Sequence, residues 1–344
     1  MKRLTALALA LCAVPALAFA ASPAGPYKVP RTPLGQPDLQ GNWTNATITP
    51  LTRPSKFGER NVLTPEEARA QEQSTADQVA RADKPTDPNL KVTDLKNADC
   101  GADGLSGFNC GYNQGWKDPG TVVIDFNGEK RASIIVEPSN GQFPPMAKAA
   151  TERRRSRPPG GAYDGPEQRG LGERCILSFG SSAGPPMLPL MYNNTYAIVQ
   201  TRDAVLIEVE MVHEARIVRL GARHHPAGVR TWMGDSIGRW EGDTLVIETI
   251  NMRPEQGLRG GSANQKVTEW LTRIGPTKIK YRFTVEDPDT YAQPYSGEVA
   301  FNATKGQIYE YACHEGNYAM EGILAGAREE ERKAALAAKP VAAN

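Results

Sequence analysis

Alternation of apolar and polar residues constrains this chain more than any other feature. From Thr121 onward, stretches with a period of two follow one another: Thr121–Phe126, Ala132–Glu137, Thr195–Thr201, Ala204–Leu220, Thr244–Ile250, Val267–Ile274, Lys278–Glu286, Gly297–Asn302 and Ile308–Cys313. That period is the mark of half-buried strands. Turn signals such as Asn127-Gly128, Arg202-Asp203 and Lys305-Gly306 separate them. Most gaps contain no helical pattern, so parallel strand–helix–strand units are not expected. An antiparallel meander follows, closed into a barrel or strongly curved, and lipocalin-like in the broad sense.

Two helices flank this β region. Thr64-Pro65-Glu66-Glu67 has Thr at the N-cap, Pro at N1 and Glu at N3, a capping box that starts a helix over about 64–81. Ala319–Ala338 is rich in Ala and Glu and free of Pro, so a terminal helix is expected, with Asn317 as its N-cap. The domain plan is then residues 1–20 as a signal segment and 21–119 as an extended N-terminal stretch. Residues 120–326 form the β-rich domain, and 327–344 a helical or frayed tail.

The first residues point to export. Met1-Lys2-Arg3 is a positive n-region, Leu4–Ala18 an apolar run, and Ala18-Phe19-Ala20 a cleavage site, giving a periplasmic or secreted protein cut after Ala20. The run is too short to span a bilayer, and no later stretch does so. Four cysteines follow it: Cys100, Cys110, Cys175 and Cys313. An oxidising compartment favours two disulfides, with Cys100–Cys110 as the local pair and Cys175–Cys313 as the distant one. No CxxC or HxxxH spacing is present, so no metal site is expected, and no motif implies a cofactor. Across 344 residues, 40 Lys+Arg stand against 39 Asp+Glu, a balance without the positive excess of a nucleic-acid surface.

Chemistry is expected from four segments. All four histidines, His213, His224, His225 and His314, lie between positions 213 and 314. Read as one strand, Val205–Ile217 puts His213 on the apolar face with Val209 and Met211, as a buried structural histidine or as a general base in a cavity. Glu208, Glu210, Glu214 and Arg216 then fall on the other face, as a solvated charge row or a carboxylate–guanidinium cluster. Trp232–Val246 brings Asp235, Arg239, Trp232 and Trp240 together in sequence, the residue types that hold a planar or polyhydroxylated ligand. Within it, Glu241-Gly242-Asp243 marks a hairpin turn. Tyr309–Tyr318 carries His314 and Glu315 beside a helix N-terminus. Gly165–Cys175 offers Arg169 and Arg174 as ligand clamps, near a Gly184–Pro189 loop suited to a cis bond.

In Pro37-Asp-Leu-Gln-Gly-Asn-Trp43, Leu171-Gly-Glu-Arg-Cys175, Gly184–Pro189, Glu210–Arg216, Trp232–Val246 and Tyr311–Tyr318, the chain resembles a family of exported proteins of soil and aquatic bacteria. The resemblance implies an export signal and a β-rich domain, and no particular reaction. The insertion around Cys100 and Cys110 is longer than that pattern.

The expected function is a cavity for a small aromatic or carbohydrate-derived molecule. One form is a cofactor-independent hydrolase, lyase or isomerase with His213, His314, Asp235 and Glu315 as acid–base groups. Arg239, Trp240, Trp232, His225 and Arg174 would bind the ligand. The alternatives are a non-catalytic periplasmic binding protein and a structural envelope protein.

Overall fold

The computed structural model describes residues 27–82, 117–155, 163–178, 184–254 and 261–338. Residues 1–20, read as a signal segment, and Cys100 and Cys110, read as a disulfide pair, lie outside the described residues. Strands β1 (Gly41–Thr44), β5 (Thr195–Gln200), β6 (Ala204–Val209), β7 (Glu214–Leu220), β8 (Asp235–Glu241), β9 (Thr244–Ile250), β10 (Lys266–Gly275), β11 (Lys278–Glu286) and β12 (Tyr295–Ala303) close into a barrel. Closure comes from β1, which pairs with β5 on one side and with the end of β12 on the other. The start of β12 pairs with β4 (Ile135–Glu137), and β2 (Asp125–Phe126) with β3 (Glu129–Lys130) forms a separate small hairpin.

Three details differ from the sequence reading. First, Ala204–Leu220 is not one strand. Its middle, Glu210–His213, turns the chain back, so that Val209 faces Glu214 across a hairpin. Second, β7 and β8 are parallel, over Val218–Leu220 against Ser236–Gly238, joined by a crossover at 221–234 that contains no helix. Third, Ile308–Cys313 is no strand. The edge of β12 that it would have used is taken by β1 and β4. The closing strand therefore comes from the stretch expected to lie over the barrel.

The flanking helices form as their signals dictate. Helix α1 (Pro65–Ala82) has its capping box: the Glu67 N–H donates to Thr64 Oγ1 at 3.2 Å, and the Thr64 N–H to Glu67 Oε2 at 2.8 Å. Helix α2 spans Lys148–Arg155, and α3 (Tyr318–Ala337) follows Asn317. The Asn317 side chain does not cap α3; it donates to the Glu173 carbonyl at 2.8 Å.

Tight turns at 201–203, 242–243 and 276–277 gather at one end of the barrel. The opposite end, called the mouth here, carries the longer connections and the Glu210–His213 hairpin loop. The interior is packed with large apolar side chains, including Tyr196, Tyr281, Phe283, Val299 and Phe301, all fully buried. Gly297 is where this packing is tightest. A Cβ there would run into the Phe283 ring and the Ile134 carbonyl. Gly297→Ala is expected to cost about 1–3 kcal/mol by overpacking, read as a lower urea midpoint with an unchanged slope. A midpoint equal to wild type would show that the Phe283 ring yields freely.

Candidate functional site

Strand register decides which side chains reach the barrel interior. Trp43, Tyr196, Val209 and Glu214 lie opposite one another in one inward row at the mouth. Ile198, Ile207 and Arg216 form the next row. The hairpin reverses the parity: odd residues point inward on β6, even residues on β7. Glu214 and Arg216 therefore face the interior, and Ile217 is 60% exposed on the outer wall.

Arg216 is buried with Glu269 of β10. The guanidinium donates twice, Nη1 to Oε2 at 2.5 Å and Nη2 to Oε1 at 2.9 Å, with side-chain exposures of 2% and 0%. Such a fork is the geometry in which an ion pair survives desolvation. Burial works against the Arg216 charge, but Glu269, with Tyr281 and Tyr196, outweighs it and holds the guanidinium above its ordinary pKa. The Tyr281 hydroxyl donates to Glu269 Oε1 at 2.8 Å and accepts the Met187 N–H at 2.9 Å. Burial and the Glu269 charge push its pKa well up, so it stays a neutral donor.

Met187 belongs to the Gly184–Pro189 loop, where Gly184–Pro185 and Pro185–Pro186 are both cis. The loop inserts Met187, fully buried, into the core at the mouth. Asn45, just past β1, donates from Nδ2 to the Met187 carbonyl at 3.4 Å and to the Tyr196 hydroxyl at 3.3 Å. Its buried Oδ1 has no partner among the described residues. Asn194 ties the neighbouring backbone, donating to the Asp118 and Leu190 carbonyls at 2.7 and 2.8 Å.

Three carboxyl groups stand around this mouth. Glu210 is 6% exposed in the hairpin loop. Asp118 is raised above its ordinary pKa by burial and by the Glu210 charge. Glu214, half-buried on the inward row, is raised by burial. No hydrogen bond or ion pair to its carboxyl is found among the described residues. The loop between them is strained: Val212 and His213 both have left-handed backbone, at φ 65° and 56°. For a β-branched residue that is a true outlier, of the kind that gathers at working sites.

The structure scatters most of the residues singled out from sequence. His213 is on the outer wall, not in the interior, where Nε2 meets Glu208 Oε1 at 3.1 Å. The cause is the hairpin, which ends the assumed alternation at Val209. His314 and Glu315 are exposed in the turn after Cys313 and do not join His213. Arg239 is exposed at the tight-turn end and paired with Glu241 at 2.7 Å. Trp240, opposite Leu245, points inward at that same end, far along the strand from the mouth. Trp232 is half-buried beneath the Arg253 guanidinium, 4.2 Å from the ring centre. Arg174 is half-buried beside Cys175, which is bonded to Cys313 with Cα atoms 5.7 Å apart.

Asp235 and His225 are brought together, but outside the barrel. Asp235 accepts the His225 N–H at 2.7 Å, Arg219 Nη2 at 2.7 Å and a contact from His224 Nδ1 at 3.0 Å. Burial opposes its charge, yet these partners outweigh it and hold its pKa below the usual carboxylate range. His224 was counted among the histidines without a role, and Glu248, Glu269, Tyr281 and Asn45 were not singled out from sequence. For Glu269 and Tyr281 a signal exists: each occupies an inward position of an otherwise apolar alternation. No family model and no curated protein sequence matches the chain.

Proposed function

We propose that this is an exported protein whose barrel mouth acts on a small aromatic or carbohydrate-derived molecule by acid–base chemistry, as a cofactor-independent hydrolase, lyase or isomerase. The Glu214 carboxyl carries this reading. It has no partner among the described residues, faces inward, and is held toward its protonated form by burial, the condition of a general acid. Arg216, two residues on and on the same face, is fixed by Glu269 in the next inward row. Aromatic rings line the interior next to both. Export is supported by the N-terminal segment and the Cys175–Cys313 bond. Among the described residues, no helix is long and apolar enough to cross a membrane.

The carrier reading has one observation in its favour: no histidine of the described residues faces the interior, so a proton acceptor there must be a carboxylate. Glu214→Gln separates the two. The raised pKa means that Glu214 favours the fold at low pH, and that this contribution is lost as pH rises through its folded-state value. Glu214→Gln is therefore expected to keep or raise stability near pH 7 while abolishing turnover. The measurement is an NMR screen of small phenolic and sugar-derived compounds for conversion, followed by thermal melts of both proteins. Conversion at an unchanged rate in the variant rules out Glu214 as the acid. Saturable binding without conversion in wild type establishes the carrier.

A further inference from the structure

The crossover at 221–234 runs over the outer wall, where backbone bonds such as His225 N–H to Asp235 Oδ2 at 2.7 Å hold it and one imidazole bridges two carboxylates of the wall. His224 Nδ1 lies 3.0 Å from Asp235 Oδ2 on β8, and Nε2 lies 3.2 Å from Glu248 Oε1 on β9. His224 is 16% exposed and Asp235 7%. Asn251, in left-handed backbone, adds a bond from Nδ2 to the His225 carbonyl at 3.1 Å. Beneath this fastening, β7 and β8 share only three residue pairs, against seven between β8 and β9. The seam is short, and β7 is the strand that carries Glu214 and Arg216.

We propose that His224 is a proton-operated clasp for the crossover, closed while its ring carries a proton on both nitrogens and loosened when one is lost. An imidazolium has two N–H donors and satisfies both carboxylates at once. A neutral ring has one donor, and its remaining lone pair then faces a carboxylate oxygen. When the ring gives up a proton, the clasp loses a charge-assisted bond and gains a repulsion. The other charged groups around it do not replace that bond. Arg219 of β7 is engaged with Asp235 and the Arg223 carbonyl. Lys266 of β10 is paired with Glu286 at 2.7 Å, although Glu248 also acts on its charge. Arg230 of the crossover donates to the Met252 and Ala263 carbonyls, and the His225 ring is more than half exposed, 4.0 Å from Asp235. The proposal stands on this geometry and does not depend on the function assigned to the mouth.

Hydrogen exchange of the full chain at pH 5.5 and 8.0, corrected for intrinsic rates, tests it. Peptides covering 221–231 should lose at least tenfold in protection at the higher pH, while peptides from the β10–β11 pair hold theirs. In His224→Gln that pH dependence should shrink to less than twofold. Glu248→Gln, at a more exposed position, should reduce it in a protein that keeps its fold. Flat protection across the pH range in wild type overturns the clasp. So does an undiminished pH dependence in both variants, or an equal loss in the β10–β11 peptides.

Discussion

Glu269→Ala should lower unfolding stability by about 3–5 kcal/mol, because it strands the Arg216 charge inside a packed barrel. Both side chains are almost wholly inaccessible, so water cannot take over the lost bonds. Tyr281 loses its acceptor in the same step. The measurement is a urea titration followed by tryptophan fluorescence, fitted for midpoint and slope. Arg216→Met combined with Glu269→Leu should recover most of the loss, since an apolar pair of similar volume leaves no charge unmatched. A double variant as unstable as Glu269→Ala would show that the polar network itself, and not the orphaned charge, is what the fold requires.

Replacing Cys175 and Cys313 together by Ser should be comparably severe. The bond links positions 138 residues apart. Constraining an unfolded loop of that length is worth about 5 kcal/mol in the chain-entropy treatment. The bond also anchors the Leu171–Cys175 segment to the turn preceding α3, where Asn317 donates to the Glu173 carbonyl. Thermal melts with and without reductant will read the effect on wild type. An identical melting temperature in both would mean that the reduced chain keeps its loop closed by other contacts.

Much of the barrel was legible because strand alternation is local. Thr244–Ile250 and Lys278–Glu286 were delimited to the residue, and β5, β10 and β12 to within two residues. The capping box placed α1 for the same reason: its hydrogen bonds lie within four residues. The site was far less legible. Val205–Ile217 keeps apolar residues at nearly every odd position and contains no Gly, Pro, Asn or Asp to announce a turn. The hairpin there relies on left-handed Val212 and His213, which tertiary packing must enforce against local preference. One missed turn moved His213 to the outer wall and brought Glu214 and Arg216 inside. The parallel β7–β8 pair was hidden in the same way, because its crossover has no periodic signature. Glu269 could have been found by asking why a charge occupies an inward position between Val267 and Leu271.

The closing strand has a consequence for how the chain acquires its structure. Strand β1 has only four residues, and its partners are β5 and the last strand, with Trp43 set against Ala303. Until β12 has emerged from the ribosome, one edge of β1 has no partner. Non-local pairing of this kind delays folding, because the entropy of closing a long loop is lost before contacts compensate for it. The ring therefore shuts late, after nearly the whole polypeptide is available. An open precursor, with unpaired edges on β1 and β12, is the species most exposed to aggregation or to chaperone capture during biogenesis.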